Sequence, residues 1–413
     1  MKKANDLPEG FRKKRLGLFI HWGIYAVGGI HEQELWRYRT PQEQYYRYAE
    51  NFRAAAFDPR RWLDAIQENG FEYLVFTAKH HDGFCMFDSR LTDFNVTRTP
   101  FGRDVFGLLA EECHKRSLPL VAYYSVVDWH HPAYPNRGGH HELVTDPARH
   151  NPAEYLEYMR GQIRELCTNY GPLHGIWWDM NTAELADPSL NEMVRRLQPE
   201  AVVNDRGCGP GDYLTSERCA PEESRGALKF EGCDSVGRFS WGYRRDEDYY
   251  SSRFFQSKVA LTLARGGNFL INVGPDGDGR FPEPAEKILI EVGSWYRKVR
   301  EGLTATPMPL ISTARQPVTG EPGGDTFYWI LEEPSASARF VLPGKQFPDI
   351  AEAELLNTGE KLPVASRRIF PEFFTEPYRT VFGVPVDAGE IRVLKLRFRA
   401  PLLSQEAPET PVL

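Results

Sequence analysis

Short apolar runs recur along the chain up to about residue 300, separated by stretches of helical periodicity. The runs occupy 16–22, 73–78, 118–127, 175–178, 201–204 and 268–273. A strand covered on both faces reads as a continuous apolar run, and strand–helix alternation reads as a parallel α/β sheet. The stretch "DPRRWLDAIQENG" sets Asp58 at a helix N-cap and Pro59 at the first helical position, and it closes at Gly70. Its Trp62 and Ile66 share a face. "DVFGLLAEECHKRS" sets Val105, Leu108 and Leu109 on one face behind Asp104.

Each run ends in polar and aromatic residues. The first gives His21 and Trp22, and the second Lys79, His80, His81 and Asp82. The third gives Tyr124 and then Asp128 to His131, the fourth Trp178 and Asp179, and the fifth Asn204, Asp205 and Arg206. Chemistry gathered at strand C-termini is the arrangement of a TIM-type barrel. A doubly wound sheet would need an early glycine-rich phosphate turn, and none follows the first run. "GGNFLINVGPDGDG" comes late and lacks the dinucleotide and P-loop spacings, so it reads as a last barrel strand followed by a turn.

Beyond residue 302 the texture changes. Turn-rich "TATPMPL" and "TGEPGGD" precede "TFYWIL", "ARFVL", "EAELL" and "EIRVLKLRF". In the last of these, Leu394, Leu396 and Phe398 point one way and Val393, Lys395 and Arg397 the other. The expected organisation is a (β/α)8-like barrel over 1–303, an antiparallel β-sandwich over 304–400 and a disordered tail over 401–413.

A net charge of −7 argues against a nucleic-acid partner, and no apolar stretch is long enough to span a membrane. "MKKANDLPEGF" contains no apolar signal segment. The cysteines at 85, 113, 167, 208, 219 and 233 show neither a CxxC nor a zinc spacing. Free thiols in a reducing cytoplasm are therefore the expectation. Oligomeric state is left open.

Three histidine pairs, 80/81, 130/131 and 140/141, are the first candidates for chemistry. A catalytic zinc needs three converging ligands and an open position. Neighbouring strand residues point to opposite faces, so a His-His pair suits a metal poorly and no metal is expected. His140 and His141, in "PNRGGHHELV", read as a solvated loop. His80 and His81 lie where a barrel carries its ligands and read as hydrogen-bond donors to one. Asp179 ends "HGIWWDM", a strand too apolar to hold a carboxylate without purpose. Downstream, "NDRGCGPGDYLTSE" offers Arg206, Asp212 and Glu217. Two carboxylates on adjacent strands, with tryptophan platforms and histidine donors, fit glycoside hydrolysis, as does an aromatic share of 13%.

The segments "GLFIHWGIYAV", "FTAKHHDGFCMFDSRLTDFNV", "YYSVVDWHHP", "HGIWWDM", "VVNDRG", "GDYLTSE" and "GGNFLINVGPDGDGRFP" resemble the retaining α-L-fucosidases of glycoside hydrolase family 29, in order over about residues 11–300. The resemblance implies a barrel enzyme that releases terminal α-L-fucose from a fucosylated oligosaccharide or glycoconjugate, without a cofactor, through a covalent fucosyl-aspartate. It places the nucleophile at Asp179 and the acid/base at Glu217, with Asp212, Glu222 and Glu223 as alternatives on a variable loop. It makes His21, His80, His81 and Trp36 ligands of sugar hydroxyls and sets Arg206 near the ring. Trp178 and Tyr123 or Tyr124 would line the floor around the sugar methyl. One departure stands out. The family's adjacent Glu-Trp is replaced by "EQELWRYR", in which Leu35 precedes Trp36, so Glu34 either takes over that contact or the contact is lost. Three competitors follow: a metal-dependent hydrolase using the histidines, a non-catalytic fucose-binding protein, and an enzyme for related α-L-glycosides such as α-L-galactosides.

Overall fold

In a computed structural model of the chain the described residues are 7–180, 182–207, 209–218, 229–313, 316–332, 338–343, 347–367, 378–386 and 389–402. They form two compact units. One comprises the described residues up to Ser251 together with Asn268–Ile290; the other comprises Ser252–Gly267 and the described residues from Glu291 onward. Packing thus places the helix Ser252–Ala264, which precedes residue 303, in the second unit. The tail beyond 402 lies outside the described residues.

The first unit is built on eight parallel strands: β1 Leu16–Ile20, β2 Tyr73–Lys79, β3 Leu120–Ser125, β4 Gly175–Asp179, β5 Val202–Val203, β6 Leu214–Glu217, β7 Phe230–Ser235 and β8 Asn268–Val273. Their order is β5-β4-β3-β2-β1-β8-β7-β6, every pairing parallel. The two ends of this sheet meet through an isolated parallel bridge between Asn204 and Tyr213, which closes the ring. All six apolar runs became strands. The strand expected to carry Glu217 is β6, which β5 separates from β4 rather than leaving the two adjacent, and β7 was not foreseen, because "FEGCDS" carries polar residues where a strand covered on both faces is usually apolar. In β7 those polar groups are buried and paired inside the barrel. Glu231 accepts from Tyr73 Oη at 2.6 Å and from Trp177 Nε1 at 3.0 Å.

Barrel interiors are packed with side chains rather than open. Phe19, Tyr73, Val75, Val121, Tyr123, Trp177, Cys233 and Leu270 fill this one. Gly17 makes the room: a Cβ there would sit 2.5 Å from the Tyr73 ring. Helices between the strands start as the sequence indicates. Asp58 accepts from Arg60 N ahead of Pro59–Glu68, and Asp104 accepts from Gly107 N ahead of Val105–Lys115. The latter helix buries Val105, Phe106, Leu109, Ala110 and Cys113, whereas Leu108 is only half-buried. Cys85, Cys113, Cys167 and Cys233 are free and buried. No helix among the described residues is long and apolar enough to cross a membrane.

The end of β2 has consequences for the site. Pairing with β3 runs Thr77–Tyr123 and then Lys79–Tyr124, so Ala78 is an extra residue. Such a bulge re-aims the side chains beyond it. Lys79 Nζ consequently meets Asp128 Oδ2 at 2.8 Å and Tyr155 Oη at 2.9 Å, fully buried. Removing one partner of a buried pair strands the other charge. Lys79→Met is expected to cost about 3–5 kcal/mol, read as a lowered urea midpoint with an unchanged m-value.

The second unit contains a six-stranded antiparallel sheet and a three-stranded one. Both supply a single core. Phe327, Trp329, Leu394, Leu396 and Phe398 come from the larger sheet, and Phe340, Leu342 and Val381 from the smaller. This is the expected sandwich. Lys395 and Arg397 point outward to Glu301 and Glu352; Val393, on the same parity, is nonetheless buried.

Candidate active site

At the C-terminal ends of the barrel strands lies a cleft of about 390 Å³. Strand parity decides which residues reach it. In β4, Trp177 and Asp179 are two apart and face the cleft, while Trp178 between them faces the opposite way. β3 and β4 pair Tyr123 with Trp177 and Tyr124 with Trp178, so the same division holds one strand over. Trp178 Nε1 donates to Asn191, and Tyr124 Oη donates to Gln162, both on surrounding helices. The tryptophan at the cleft is therefore Trp177, not Trp178, and the tyrosine is Tyr123, not Tyr124.

Asp179 is held on both oxygens. Tyr123 Oη donates to Oδ2 at 2.6 Å, and Arg206 Nη2 donates to Oδ1 at 2.7 Å. Met180, at a left-handed φ of 59°, turns its own N–H onto Oδ1 at 2.9 Å. Burial alone would raise the carboxyl's pKa. The Arg206 guanidinium and the hydrogen bonds from Tyr123 and Arg206 outweigh it, and the group is held below the usual aspartate value.

Arg206 follows β5 in a tight turn. Asn204 clasps Trp178, accepting from its N and donating to its O, and Asp205 accepts from Thr215 N and Oγ1. Gly207 must lack a side chain, since a Cβ there would lie 2.2 Å from the Trp178 ring. The guanidinium so placed lies over Trp177, 5.1 Å from its ring centroid. Its Nη2 also contacts Glu217 Oε1 at 2.7 Å. A single nitrogen thus bridges two carboxylates and holds their oxygens within twice 2.7 Å of each other. Glu217, the last residue of β6, is the more exposed of the pair, 38% against 11% for the side chains. Its pKa is raised by burial of the carboxyl in the cleft wall. Arg206 opposes this and the Asp179 charge adds to it. The two acids are pushed in opposite directions.

Three histidines face this pair. His81 Nδ1 lies 2.7 Å from Ser125 Oγ, whose own proton goes to Val127 O. His81 Nδ1 is therefore the protonated nitrogen, and Nε2, 3.8 Å from Asp179 Oδ2, is a bare acceptor. The same logic fixes His21. Asn272 donates its amide to Ser235 and Trp241, so its Oδ1 accepts from His21 Nδ1 at 2.6 Å. Burial lowers the His21 pKa to about 4 and drives His80 and His81 well down. All three are neutral. His80 stacks on Tyr123, and its buried Nδ1 has no hydrogen-bond partner among the described residues. The divergence expected of neighbouring histidines does not occur. His80 and His81 lie beyond the last residue of β2, and their rings stand 4.0 Å apart on one cleft. No group of three metal-binding side chains is present among the described residues.

Other expectations shift. Glu34 points away from the cleft, accepting from Thr40 Oγ1 and Tyr48 Oη, and Gln33 lines the cleft instead. Trp36 does not line it; its ring packs edge-on against His141 at 4.6 Å. His141, read from sequence as solvated, does line the cleft, with its Nδ1 3.2 Å from Met180 Sδ. Asp212 closes the barrel: its carboxylate accepts from Val203 N and from Arg195, so it is no candidate acid here. Glu222 and Glu223 lie outside the described residues. Phe19, Trp241 and Cys233 complete the lining. Of the residues missed, Trp177 was signalled by its two-residue spacing from Asp179, whereas Gln33, His141 and Trp241 come from loops with no such signal.

The family model described as Alpha-L-fucosidase matches residues 1–301. The tissue alpha-L-fucosidase of Homo sapiens is 29% identical over 338 residues, covering 73% of this chain and 70% of the relative. The structure of alpha-L-fucosidase isoenzyme 1 from Paenibacillus thiaminolyticus superposes with a TM-score of 0.85 at 28% identity, covering 95% of this chain and 99% of that one. Thermotoga maritima alpha-fucosidase in complex with fucose gives a TM-score of 0.74 at 26% identity, covering 94% and 97%. A match over this much of the chain, with two carboxylates facing each other at the mouth of a parallel barrel, leaves one assignment: the chain belongs to the alpha-L-fucosidase family of glycoside hydrolases.

Proposed function

We propose that this protein cleaves terminal α-L-fucosides by double displacement, with Asp179 as nucleophile and Glu217 as acid/base. The supporting observation is the shared Arg206 nitrogen, which keeps the two carboxyl oxygens within twice 2.7 Å. Retaining glycosidases hold their carboxyls roughly 5–5.5 Å apart, whereas inverting ones leave room for a water.

Opposite pKa displacements supply the two roles. Asp179, kept ionised by Arg206 and Tyr123, attacks the anomeric carbon. The bond to the leaving oxygen breaks, and that oxygen takes the proton of Glu217. In the second step Glu217 removes a proton from water, the water oxygen bonds to the anomeric carbon, and Asp179 leaves as carboxylate. Fucoside and water become fucose and alcohol, and both residues return to their starting states. The bare Nε2 of His81 and the unpartnered Nδ1 of His80 are placed to pair with sugar hydroxyls. Such polar groups penalise sugars that cannot satisfy them. Trp177 and Phe19 give the apolar floor a methyl group requires. Gln33, rather than Glu34, is the polar side chain available at the departure from the family pattern.

Proton NMR of 4-nitrophenyl α-L-fucoside hydrolysis tests this reading. The first-formed fucose is expected as the α anomer, appearing before mutarotation. A β anomer formed first would mean inversion and would remove the covalent role from Asp179.

A further inference from the structure

The inside of a barrel is filled in layers of side chains, mostly aliphatic. In this one the layer beneath the cleft contains a carboxyl. Glu231 lies on β7 two residues before Cys233, so both point inward, Cys233 at the cleft and Glu231 one layer deeper. Glu231 is 1% exposed and meets donors on both oxygens. Trp177 Nε1 donates to Oε1 at 3.0 Å, Tyr73 Oη donates to Oε2 at 2.6 Å, and Tyr213 adds a further hydrogen bond. Burying a carboxyl this deep is costly, and an aliphatic side chain would avoid the cost. What an aliphatic side chain lacks is an acceptor. An indole N–H can only donate, so the edge of Trp177 is fixed where Glu231 offers it an oxygen.

Trp177 in turn supports the groups around Asp179. Its ring stacks on Tyr123, with centroids 5.6 Å apart and planes 19° from parallel, and carries the Arg206 guanidinium 5.1 Å from its centroid. Phe19 packs against it at 5.4 Å. Tyr123 and Arg206 are the two side chains that hold the Asp179 carboxylate. We infer that Glu231 is a positioning residue for fucoside cleavage: it fixes Trp177 from beneath, and Trp177 seats the Tyr123 ring and the Arg206 guanidinium on Asp179. Without the acceptor the indole is free to tilt and to carry both groups off the carboxylate. The inference rests on the α-L-fucosidase reading above. Burial raises the Glu231 pKa to about 7, with Tyr73, Tyr213 and Lys229 the titratable groups around it. The link to Trp177 survives in either state, because a protonated carboxyl keeps a carbonyl oxygen as acceptor.

The test is a double-mutant cycle on 4-nitrophenyl α-L-fucoside hydrolysis. Glu231→Leu is expected to lower kcat about 10²-fold, and Glu231→Gln, which keeps an acceptor for the indole, less than about threefold. In a Trp177→Phe background, which has no N–H to hold, Glu231→Leu is expected to cost less than about threefold further. The acid limb of kcat/KM is expected to rise toward the ordinary aspartate range in Glu231→Leu, as Arg206 loosens its hold on Asp179. The other titratable groups facing Asp179 are Tyr123, Glu217, His21, His80, His81 and His141. An equal loss in both backgrounds, or an unmoved acid limb, would overturn the inference and leave Glu231 a packing residue of the barrel. A second readout needs no substrate: the indole N–H resonance of Trp177 in a heteronuclear NMR spectrum, assigned by its loss in Trp177→Phe. In mildly alkaline buffer it is expected to move upfield in Glu231→Gln, since an amide oxygen is a weaker acceptor than a carboxylate. That readout decides the matter if Glu231→Leu does not fold, and a resonance that stays in place would overturn the link. A wild type inert towards the fucoside, with the resonance moving as expected, would defeat the fucosidase reading and leave the link to Trp177 standing.

Discussion

Asp179→Ala is expected to lose at least about 10⁴-fold in kcat/KM on every fucoside, because no other group can form the covalent bond. The carboxylate is held by Tyr123, Arg206 and the Met180 N–H, so the substitution leaves a small gap facing the anomeric carbon. Azide can fill it. Added azide is expected to restore turnover of an activated fucoside and to yield the β-configured fucosyl azide, since attack comes from the face Asp179 occupied. Product configuration is read by NMR. Substantial turnover without azide would place the nucleophile elsewhere.

Glu217→Ala is expected to separate substrates by leaving group. Oligosaccharides, whose leaving alcohols need a proton, should lose about 10²–10⁴-fold. 4-Nitrophenyl fucoside should lose far less in the first step, and azide should rescue the second with the α-configured azide. Azide thus gives opposite anomers in the two variants, which separates the two roles in one product analysis. The pH profile carries the same information. Asp179 must be ionised, and its pKa is lowered, with Arg206 overcoming burial, so activity is lost at the acid end only below the ordinary aspartate range. Glu217 must be protonated. Its pKa is raised by burial and by Asp179, so activity persists above the ordinary glutamate range and falls as pH rises through the raised value. Glu217→Ala is expected to abolish that alkaline limb for activated substrates. A limb that survives the substitution would belong to another group.

Much of this was legible because barrels put chemistry where strands stop. Asp179, Arg206, His21 and the His80–His81 pair each end or follow an apolar run, and all line the cleft. Glu217 was legible as one of two candidate acids in "NDRGCGPGDYLTSE", and the resemblance set it ahead of Asp212 as the acid/base. Two errors had local physical causes. The resemblance set Trp178 at the floor of the site, whereas the two-residue repeat of a strand puts Trp177 on the face of Asp179. The histidine pair was expected to diverge by that same repeat, but a bulge at Ala78 and the end of β2 release both rings to one side.

The sequence by itself determined the alternation that closes a parallel barrel, the capped helices, the sandwich that follows and the acid at the end of β4. Tertiary structure decided the rest. Gln33, His141 and Trp241 reach the cleft from loops far apart in the chain, positioned by contacts such as Glu32 to Ser240 that no local pattern encodes. It also decided that one Arg206 nitrogen serves two carboxylates, which sets their spacing, while burial and the Asp179 charge raise the Glu217 pKa against Arg206 and Arg206 with Tyr123 holds that of Asp179 down. Periodicity is a property of neighbours along the chain and can be read from it. Convergence of distant side chains on one point depends on how the loops pack, and packing exists only in the folded protein.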